Sequence, residues 1–528
     1  MKSISGQTPA AFCGGIIQKI RSLAADAVIR MIVRWVVIFS AAAHLYRFVN
    51  PLFNQDSLGV YRNDIDRLRM LSNGRWGVHL YYLLRGRLSA PLLIGCLSVL
   101  FLAAAVVLTV RILRIQEKLH ILLLCGILSA APALTVVHAS FIEISDAHML
   151  SVLLCIGGVY LSLKGPRWLF PAAVLYALSF SIYQTYIACA PVILIFYFIG
   201  ELMADDPDLG KLFRRGIFCV SALLAGFILY YGIWKAAVRI SGSELLNAYN
   251  SVENATVFSE NFNFPLLLFK TYGNFVYWFL YPESFDGRAA LVCNLILAAV
   301  CLGLLIRVFL RKKASAVLPA AVLLVLLPAG ANFVYFFYGN FNTMLTFPFL
   351  CVYAGAFMIM ERAGRLTDRP ERKERSSFRS LITGLSAAVL ILNFIIYSNQ
   401  VYLKKHLEEM STFSLMTRIL SRMEMTEGYV PGETTVVFEG NLYDSPAAAV
   451  RPGFDQIRGR ALGYHTSVTY YRTFYFYCDQ ILGYPLNIGG QSLRNELAER
   501  EEVAAMPAFP AAGCCRMIDG VLVVKVSP

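Results

Sequence analysis

The chain has 528 residues, of which 57% are hydrophobic and only 15% are charged, and its formal net charge is +13. Soluble globular proteins carry about 25% charged residues, so this composition excludes an ordinary soluble protein and indicates one with many membrane spans. The positive charge does not indicate nucleic-acid binding, because the basic residues form short clusters between apolar runs, as in the cytoplasmic loops of membrane proteins.

The apolar runs predict a membrane bundle that begins near the N-terminus. Residues 1–30 are basic and predict a cytoplasmic segment, and the run 35–46 that follows predicts a retained anchor. A cleaved signal peptide is the alternative, although the long basic region before the run argues against cleavage. Ten further runs are near the length that crosses a hydrocarbon core of about 30 Å. They are 91–110, 119–137, 149–163, 168–181, 187–202, 217–238, 291–310, 316–337, 343–360 and 381–397.

The connections between these runs differ in charge, and this difference predicts their orientation. Lysine and arginine are concentrated in alternate connections, of which 361–380 is the longest, so we place these connections in the cytoplasm. Counting the aromatic segment 264–281 as a further span would move Arg311 to the outer side. We therefore interpret this segment as an interfacial or re-entrant helix on the outer face. The expected fold is an all-α polytopic membrane protein with about eleven transmembrane helices.

The composition changes after residue 398, which predicts a second domain. Residues 31–398 form the expected transmembrane domain, and residues 399–528 form an expected small extracytoplasmic α/β domain. Within the latter, 408–425 has the periodicity of a helix, whereas 434–438 and 521–526 are rich in β-branched residues and predict strands. The C-terminus would therefore lie outside the cytoplasm.

The outer connection between the first two spans, residues 47–90, contains arginines but no lysine. Arginine presents a planar fork that binds phosphate through two hydrogen bonds, so Arg62, Arg69 and Arg75 are candidates for binding the phosphate of a lipid-linked donor. Arg75 is followed by Trp76, whose ring suits stacking on a sugar or anchoring at the membrane interface. The arginines of this connection are Arg47, Arg62, Arg67, Arg69, Arg75, Arg85 and Arg87.

The same connection carries three aspartates. Asp56 directly follows the first span, and a carboxylate at such a partly dry boundary is suited to accept a proton as a general base. The alternative is that Asp56 caps a following helix. Asp64 and Asp66 are candidates for binding sugar or acceptor hydroxyls. Alternatively, they form local ion pairs with Arg62 and Arg69 on one amphipathic helix.

A second acidic outer loop is predicted at 138–148, between two apolar spans. Acidic residues at membrane depth are costly and mark functional sites by default. Glu143 and Asp146 are three residues apart and would share one face of a helix, where either is a catalytic candidate. They could bind substrate hydroxyls, hold a divalent metal with His138 or His148, or form a structural ion pair with an arginine of the first loop.

The segment around Tyr183, Gln184 and Tyr186 predicts a polar, aromatic hairpin on the same outer face. These side chains suit a sugar site, and the alternative is an aromatic belt at the membrane interface. The sequence contains no phosphate-binding glycine-rich loop, no zinc signature and no Ser-His-Asp order. We therefore do not expect chemistry driven by a bound nucleotide.

Taken together, five short motifs resemble those of the GtrII-type membrane glucosyltransferases, which belong with the GT-C-like enzymes that use polyprenyl-phosphate sugars. The motifs are Asp56, Gly-Arg-Trp at 74–76, the acidic segment 141–146, Ser-Ile-Tyr-Gln-Thr-Tyr at 181–186 and Glu-Thr-Thr-Val-Val-Phe-Glu-Gly at 433–440. This resemblance implies transfer of a hexose, glucose in that family, from an undecaprenyl-phosphate carrier to a cell-surface glycan with inversion at the sugar.

The resemblance also implies roles for individual residues. Asp56 would deprotonate the acceptor hydroxyl, and Arg75 with neighbouring arginines would stabilise the leaving phosphate. Glu143 and Asp146 would bind the acceptor, or serve as the base if Asp56 does not. Where relatives have paired acids, this chain has Gln55 before Asp56, which leaves a single base there and leaves the need for a divalent metal undecided.

The expected location is the bacterial cytoplasmic membrane, with the active site on the outer face and the N-terminus inside. The expected partners are the lipid-linked donor, the glycan acceptor, a donor synthase and a flippase. The alternative functions are a transporter or flippase of lipid-linked glycans and a glycan polymerase. A transporter would place charges within several helices along a path, whereas the charges here are concentrated in outer loops, which favours an enzyme.

Overall fold

Long apolar helices make up most of the structure, as the composition predicts. The computed structural model describes residues 25–58, 67–86, 89–242, 263–335, 339, 341–367, 373–442, 445 and 466–528. In these ranges, ten helical segments have the length and composition to cross a membrane, so the chain is a multi-pass membrane protein. They are Ala27–Val49, Pro91–Leu113, Lys118–Ser140, Ile142–Ser162, Gln184–Leu202, Leu209–Ser241, Gly287–Phe309, Ala314–Ala331, Thr343–Leu366 and Ser377–Glu424.

The helices are numbered here in chain order. The first half of the described chain contains α1 (Ala27–Val49), α2 (Arg67–Ser72), α3 (Trp76–Arg85), α4 (Pro91–Leu113), α5 (Lys118–Ala130), α6 (Pro132–Ser140), α7 (Ile142–Ser162), α8 (Leu169–Ile182), α9 (Cys189–Leu202) and α10 (Leu209–Ser241). The second half contains α11 (Phe264–Leu280), α12 (Gly287–Phe309), α13 (Ala314–Ala331), α14 (Phe347–Thr367), α15 (Lys373–Glu424), α16 (Tyr471–Tyr477), α17 (Gln491–Ala498) and α18 (Glu501–Ala504).

The predicted span 168–181 differs from the others in length. It forms α8, which has only 14 residues. At 1.5 Å per residue this helix is about 21 Å long, shorter than a hydrocarbon core of about 30 Å. The segment 264–281 forms α11, a 17-residue helix that is also too short to count among the ten. Its placement at the interface stays a prediction.

Helix α8 packs between α7 and α10 and ends inside the bundle. The hydroxyl of Ser179, near the end of α8, donates a hydrogen bond to the carbonyl of Ser151 at 2.9 Å. Ser151 lies nine residues after Ile142, the first residue of α7. Measured along the axis of α7, the end of α8 is therefore about 13 Å deeper in the bundle than the start of α7. The short helix therefore leaves a space between α7 and α10 at this end of the bundle, which we call the recess.

Helix α3 occupies part of that recess and packs on α8. A side chain at Gly77 would have its Cβ only 2.1 Å from the Oγ of Ser181, so the absence of a side chain lets the two helices touch. The connection between the first two spans therefore folds down into the bundle and brings its polar residues with it.

Helix α15 joins the bundle to the C-terminal domain. It has 52 residues, packs against α1, α5, α6 and α12, and continues into the domain core through Met416 and Ile419. Because the helix passes residue 399 without a break, the predicted domain boundary falls inside a continuous helix. The position of this domain relative to the membrane stays a prediction.

The C-terminal domain contains a four-stranded sheet with the order β2-β1-β4-β3. Strands β1 (Thr435–Glu439) and β4 (Val521–Lys525) confirm the two predicted strands within one residue, whereas β2 (Asn487–Ile488) and β3 (Cys515–Ile518) were not predicted. β1 runs parallel to β2 and to β4, and β3 pairs antiparallel with β4. Strand β2 could not be predicted from the sequence, because two residues are too few to show an alternating pattern.

Close packing of α14 on α9 generates a testable expectation. A Cβ at Gly355 would lie 2.1 to 2.3 Å from three ring atoms of Phe196, whereas a Cβ at Gly303 in α12 would meet nothing within 4 Å. We expect Gly355→Ala to lower the thermal unfolding temperature in detergent, because overpacking costs about 1–3 kcal/mol. Gly303→Ala should leave it unchanged or raise it slightly. Equal unfolding temperatures for the two variants would contradict the described packing.

Candidate functional site

The site begins with Arg47, in the last turn of α1, which is 1% exposed. Its guanidinium donates hydrogen bonds to three backbone carbonyls, those of His138 at 2.8 Å, Asn50 at 2.7 Å and Leu52 at 2.7 Å. These bonds tie the end of α1 to α6 and turn the following chain back over the bundle. Arg47 therefore positions the first loop, and each of its three nitrogens already donates a hydrogen bond to the protein.

A tight turn follows and fixes the position of Asp56. The side-chain oxygen of Asn54 accepts hydrogen bonds from the backbone amides of Asp56 at 3.0 Å and Ser57 at 2.8 Å. The Ser57 hydroxyl accepts from the Asn54 amide at 2.8 Å. The half-buried Asp56 carboxylate is thus carried by a hydrogen-bonded turn at the end of α1, and the capping alternative concerns residues after 58 that the structure does not describe.

The predicted acidic loop at 138–148 is wrong as a loop. Helices α6 and α7 are separated there by a single residue, Phe141, so Glu143 and Asp146 lie in the first turns of α7. Glu143 is 5% exposed and Asp146 is fully buried. At Asp146, the helix α3 supplies hydrogen-bond donors to the buried carboxylate, and such distant partners cannot be recognised from local sequence.

Asp146 is engaged by α3. Its Oδ2 accepts a hydrogen bond from the Tyr81 hydroxyl at 2.8 Å and lies 3.4 Å from Nε of Arg85. Burial raises the pKa of Tyr81, and the Asp146 carboxylate adds to the rise, so this hydroxyl stays a neutral donor. Arg85 also donates to the backbone carbonyl of Glu143 at 3.1 Å and lies over the ring of Tyr82. This geometry favours the ion-pair alternative for Asp146.

Glu143 is placed differently, although it is only one turn away from Asp146. Its Oε2 is buried and has no hydrogen-bond partner among the described residues. The charges of Arg47, Asp56 and Arg85 all act on it. Asp56 is therefore one of the charged groups that act on Glu143, and one Glu143 oxygen is left to accept a hydrogen bond from a bound molecule.

The turn before α3 presents Arg75 to the recess. Gly74 has a φ of +70°, and the backbone carbonyl of Leu71 accepts a hydrogen bond from Nε1 of Trp234 in α10 at 2.7 Å. These features fix Arg75, whose guanidinium lies 4.5 Å from the centre of the Tyr183 ring. Its Nε is buried and has no partner in the described part of the chain. Trp76 follows, half-buried, at the first position of α3.

The segment around Tyr183 lies within the bundle rather than at its outer surface, because α8 ends early. Gln184 donates to the backbone carbonyl of Asn73 at 2.8 Å, so it holds the turn that carries Arg75. The ring of His148 packs against Tyr183 at 4.3 Å, and its Nδ1 lies 3.1 Å from the hydroxyl of the buried Tyr186. The predicted sugar-binding side chains thus form the wall of the recess.

The structure therefore gathers eight predicted residues around α3. Asp56, Glu143 and Asp146 lie towards its Arg85 end. Arg75 precedes the first residue of α3, but its side chain lies over Tyr183, whose ring packs on His148, two residues after Asp146 in α7. The gathered residues are Asp56, Arg75, Trp76, Glu143, Asp146, Tyr183, Gln184 and Tyr186. Arg62, Asp64 and Asp66 fall outside the described residues, and Arg69 falls in α2.

Three residues of the site were missed as contributors. Arg47 and Arg85 were recognised only as members of an arginine-rich loop, and Tyr81 was not singled out. One indication of their role is present in the sequence: these residues alternate with apolar residues in a connection that we expected to be exposed to water. In the described ranges, no group of three or more histidine, cysteine, aspartate or glutamate side chains has the arrangement of a metal site. The metal alternative for Glu143 and Asp146 therefore receives no support from these residues.

Comparison with known proteins places the chain in a family. The family model described as glucosyl transferase GtrII matches residues 45–360, more than half of the chain. The chain belongs to the GtrII glucosyl transferase family. It is a membrane glycosyltransferase, and the matched range includes the Asp56 turn, α3, the acidic start of α7 and the recess. No curated protein and no solved structure matches the chain significantly.

The buried contact between α3 and α7 generates a second prediction. We expect Arg85→Met to destabilise this GtrII protein by about 3–5 kcal/mol, because it leaves the Asp146 carboxylate buried without its cation. The double variant Arg85→Met with Asp146→Leu should recover most of that loss, since both charges are removed together. Thermal unfolding of the single and double variants in the same detergent measures this. A double variant that is no more stable than Arg85→Met would refute the ion pair.

Proposed function

We propose that this enzyme transfers glucose from a polyprenyl-phosphate donor to a cell-surface glycan, with inversion, on the outer face of the bacterial cytoplasmic membrane. The observation that carries this proposal is the placement of Asp56 on a fixed turn, where its charge acts on Glu143, at the end of the helix bundle whose recess contains Arg75. A lipid-linked sugar is a substrate that can enter such a recess from the membrane.

The proposed reaction assigns the proton to Asp56. Its carboxylate accepts the proton of an acceptor hydroxyl as the hydroxyl oxygen attacks the anomeric carbon of glucose. The bond between that carbon and the phosphate oxygen breaks, and the lipid phosphate leaves with the electron pair. Glu143, with its unpartnered oxygen, binds the acceptor hydroxyl or takes the proton in place of Asp56.

Arg75 is the proposed partner of the leaving phosphate. Charge develops on the phosphate as the bond breaks, and a cation already fixed in place stabilises it without reorganisation. The stacking of Arg75 on Tyr183 and the tethering of its turn by Gln184 supply that fixation. Arg62 and Arg69 remain proposed phosphate contacts. Asp64 and Asp66 likewise remain proposed sugar or acceptor contacts.

The orientation rests on the distribution of charge. Lysine and arginine are concentrated in the connections at the end of the bundle opposite to Asp56, which supports a cytoplasmic N-terminus. An enzyme on the outer face that uses a lipid-linked donor requires a synthase to make the donor and a flippase to deliver it. Membership of a transferase family supports this function over the transporter alternative.

Replacement of Asp56 tests the proposed base. We expect Asp56→Asn to lower glucose transfer from synthetic polyprenyl-phosphate glucose by about 10²–10⁴-fold, because the amide cannot accept the proton. Donor binding should be retained. The matched control is Asp286→Asn at the same end of the bundle, where the side chain caps α12 and asparagine caps equally well.

The assay uses purified protein in detergent, radiolabelled donor and a panel of purified cell-surface polysaccharides. Undiminished transfer by Asp56→Asn would remove Asp56 as the base and assign the proton to Glu143. If wild-type protein transferred no sugar from any polyprenyl-phosphate donor to the panel, the proposed donor class would be wrong.

Replacement of Arg75 by lysine tests the phosphate contact. We expect Arg75→Lys to lower kcat by about 10²-fold, because lysine keeps the charge but loses the planar fork that binds phosphate and stacks on Tyr183. Arg288→Lys is the matched control, since Arg288 is exposed at the same end of the bundle. Steady-state rates over a range of donor concentrations give kcat and KM. Equal kcat values for the two variants would exclude Arg75 from the reaction.

A further inference from the structure

The C-terminal domain shares the loop that carries Asp56. Leu58 is fully buried in the core of that domain, and Phe53 packs against the same core. The core includes Met416 from α15 and Phe474 from α16. The loop is thus held by Arg47 on the bundle side and by apolar packing on the domain side.

Polar contacts reinforce this shared position. The carboxylate of Glu409 in α15 accepts a hydrogen bond from the backbone amide of Phe53 and one from the hydroxyl of Ser467 at 3.3 Å. The hydroxyl of Tyr470 lies 3.4 Å from the backbone carbonyl of Gln55, the residue before Asp56. The domain therefore contacts the loop at residues on both sides of Asp56, which fixes the distance between the domain surface and that carboxylate.

Tyr470 differs from the other aromatic residues of its segment. Tyr471, Phe474 and Tyr477 are buried in the domain core, whereas Tyr470 is 45% exposed. Its backbone is fixed at the start of α16, because its amide donates to Oγ1 of Thr473 at 3.2 Å and its carbonyl accepts from the same hydroxyl at 2.6 Å. An exposed aromatic ring is therefore placed at Gln55, the residue before the proposed base.

The position of this ring determines what it can contact. The loop that carries Asp56 is bound to the bundle through Arg47 on one side and contacts Tyr470 of the C-terminal domain on the other. The donor phosphate has its proposed place at Arg75, in the recess on the bundle side. The domain side of Asp56 is left for the molecule whose hydroxyl loses a proton, and a hexose presents an apolar face of C–H groups that packs on an aromatic ring.

We propose that Tyr470 forms a subsite for the acceptor carbohydrate, with one sugar ring of the glycan stacked on Tyr470 and its hydroxyl at Asp56. This inference rests on the proposed function. It gives the C-terminal domain, which lies outside the range matched by the family, a direct part in selecting the acceptor. The aromatic ring binds the sugar, and its position is set by the fixed backbone of Tyr470 rather than by the 3.4 Å contact of its hydroxyl.

The test compares Tyr470→Ala with Tyr470→Phe and wild type in the transfer assay. We expect Tyr470→Ala to raise the KM for the polysaccharide acceptor by roughly three- to tenfold, the size of one aromatic contact, with the KM for polyprenyl-phosphate glucose unchanged. Tyr470→Phe keeps the ring and should behave as wild type. Tyr281→Ala, at a tyrosine that is 64% exposed elsewhere on the protein, is the control and should change neither KM.

The two proposals fail in different ways. If wild type transfers glucose and Tyr470→Ala leaves the acceptor KM unchanged, or raises both KM values equally, the subsite is wrong and the proposed function stands. If wild type transfers nothing, saturation-transfer NMR with the same polysaccharides decides the subsite separately. Binding that is present in wild type and lost in Tyr470→Ala supports it, and binding that is absent or equal in both overturns it.

Discussion

The buried guanidinium of Arg47 is the constraint on which the rest of the site depends. A cation removed from water is costly unless it is hydrogen-bonded, and here each nitrogen of the guanidinium donates to a backbone carbonyl. Because two of these carbonyls belong to Asn50 and Leu52, the chain must turn back at the end of α1 rather than extend away. The direction of the loop that carries Asp56, and hence its approach to Glu143, follows from this requirement.

The second constraint is the length of α8. A helix of 14 residues cannot fill the thickness that its neighbours α7 and α10 define, so the bundle has a recess where α8 ends. Helix α3 fills part of this space and introduces tyrosine and arginine side chains, which would be costly there without partners. Asp146 supplies the partner for Tyr81 and Arg85, which explains a fully buried carboxylate without assigning it a step in catalysis.

Much of this could be predicted from sequence, and the limits have a physical cause. The membrane spans were predictable because each needs a long apolar run, and the strands 434–438 and 521–526 because β-branched residues cluster there. The acidic residues at 143 and 146 were recognised, but their helix was interpreted as a loop, since its stability comes from partners more than 50 residues away. The contact of Tyr470 with Gln55 joins residues more than 400 positions apart and leaves no pattern in either segment.

The two acidic residues of α7 show how one helix turn can divide structural and chemical roles. Asp146 has both a cation and a hydroxyl donor, so its charge is already compensated and a substrate would have to displace those contacts. The charges of Arg47, Arg85 and Asp56 act on Glu143, but one of its carboxylate oxygens has no hydrogen-bond partner among the described residues. A reacting hydroxyl needs one group to take its proton and another to orient it, and Asp56 and Glu143 are the groups that we propose for these two roles. In the proposed reaction, the end of α1 and the start of α7 supply the groups that act on the acceptor hydroxyl, and the C-terminal domain packs on the loop that carries one of them.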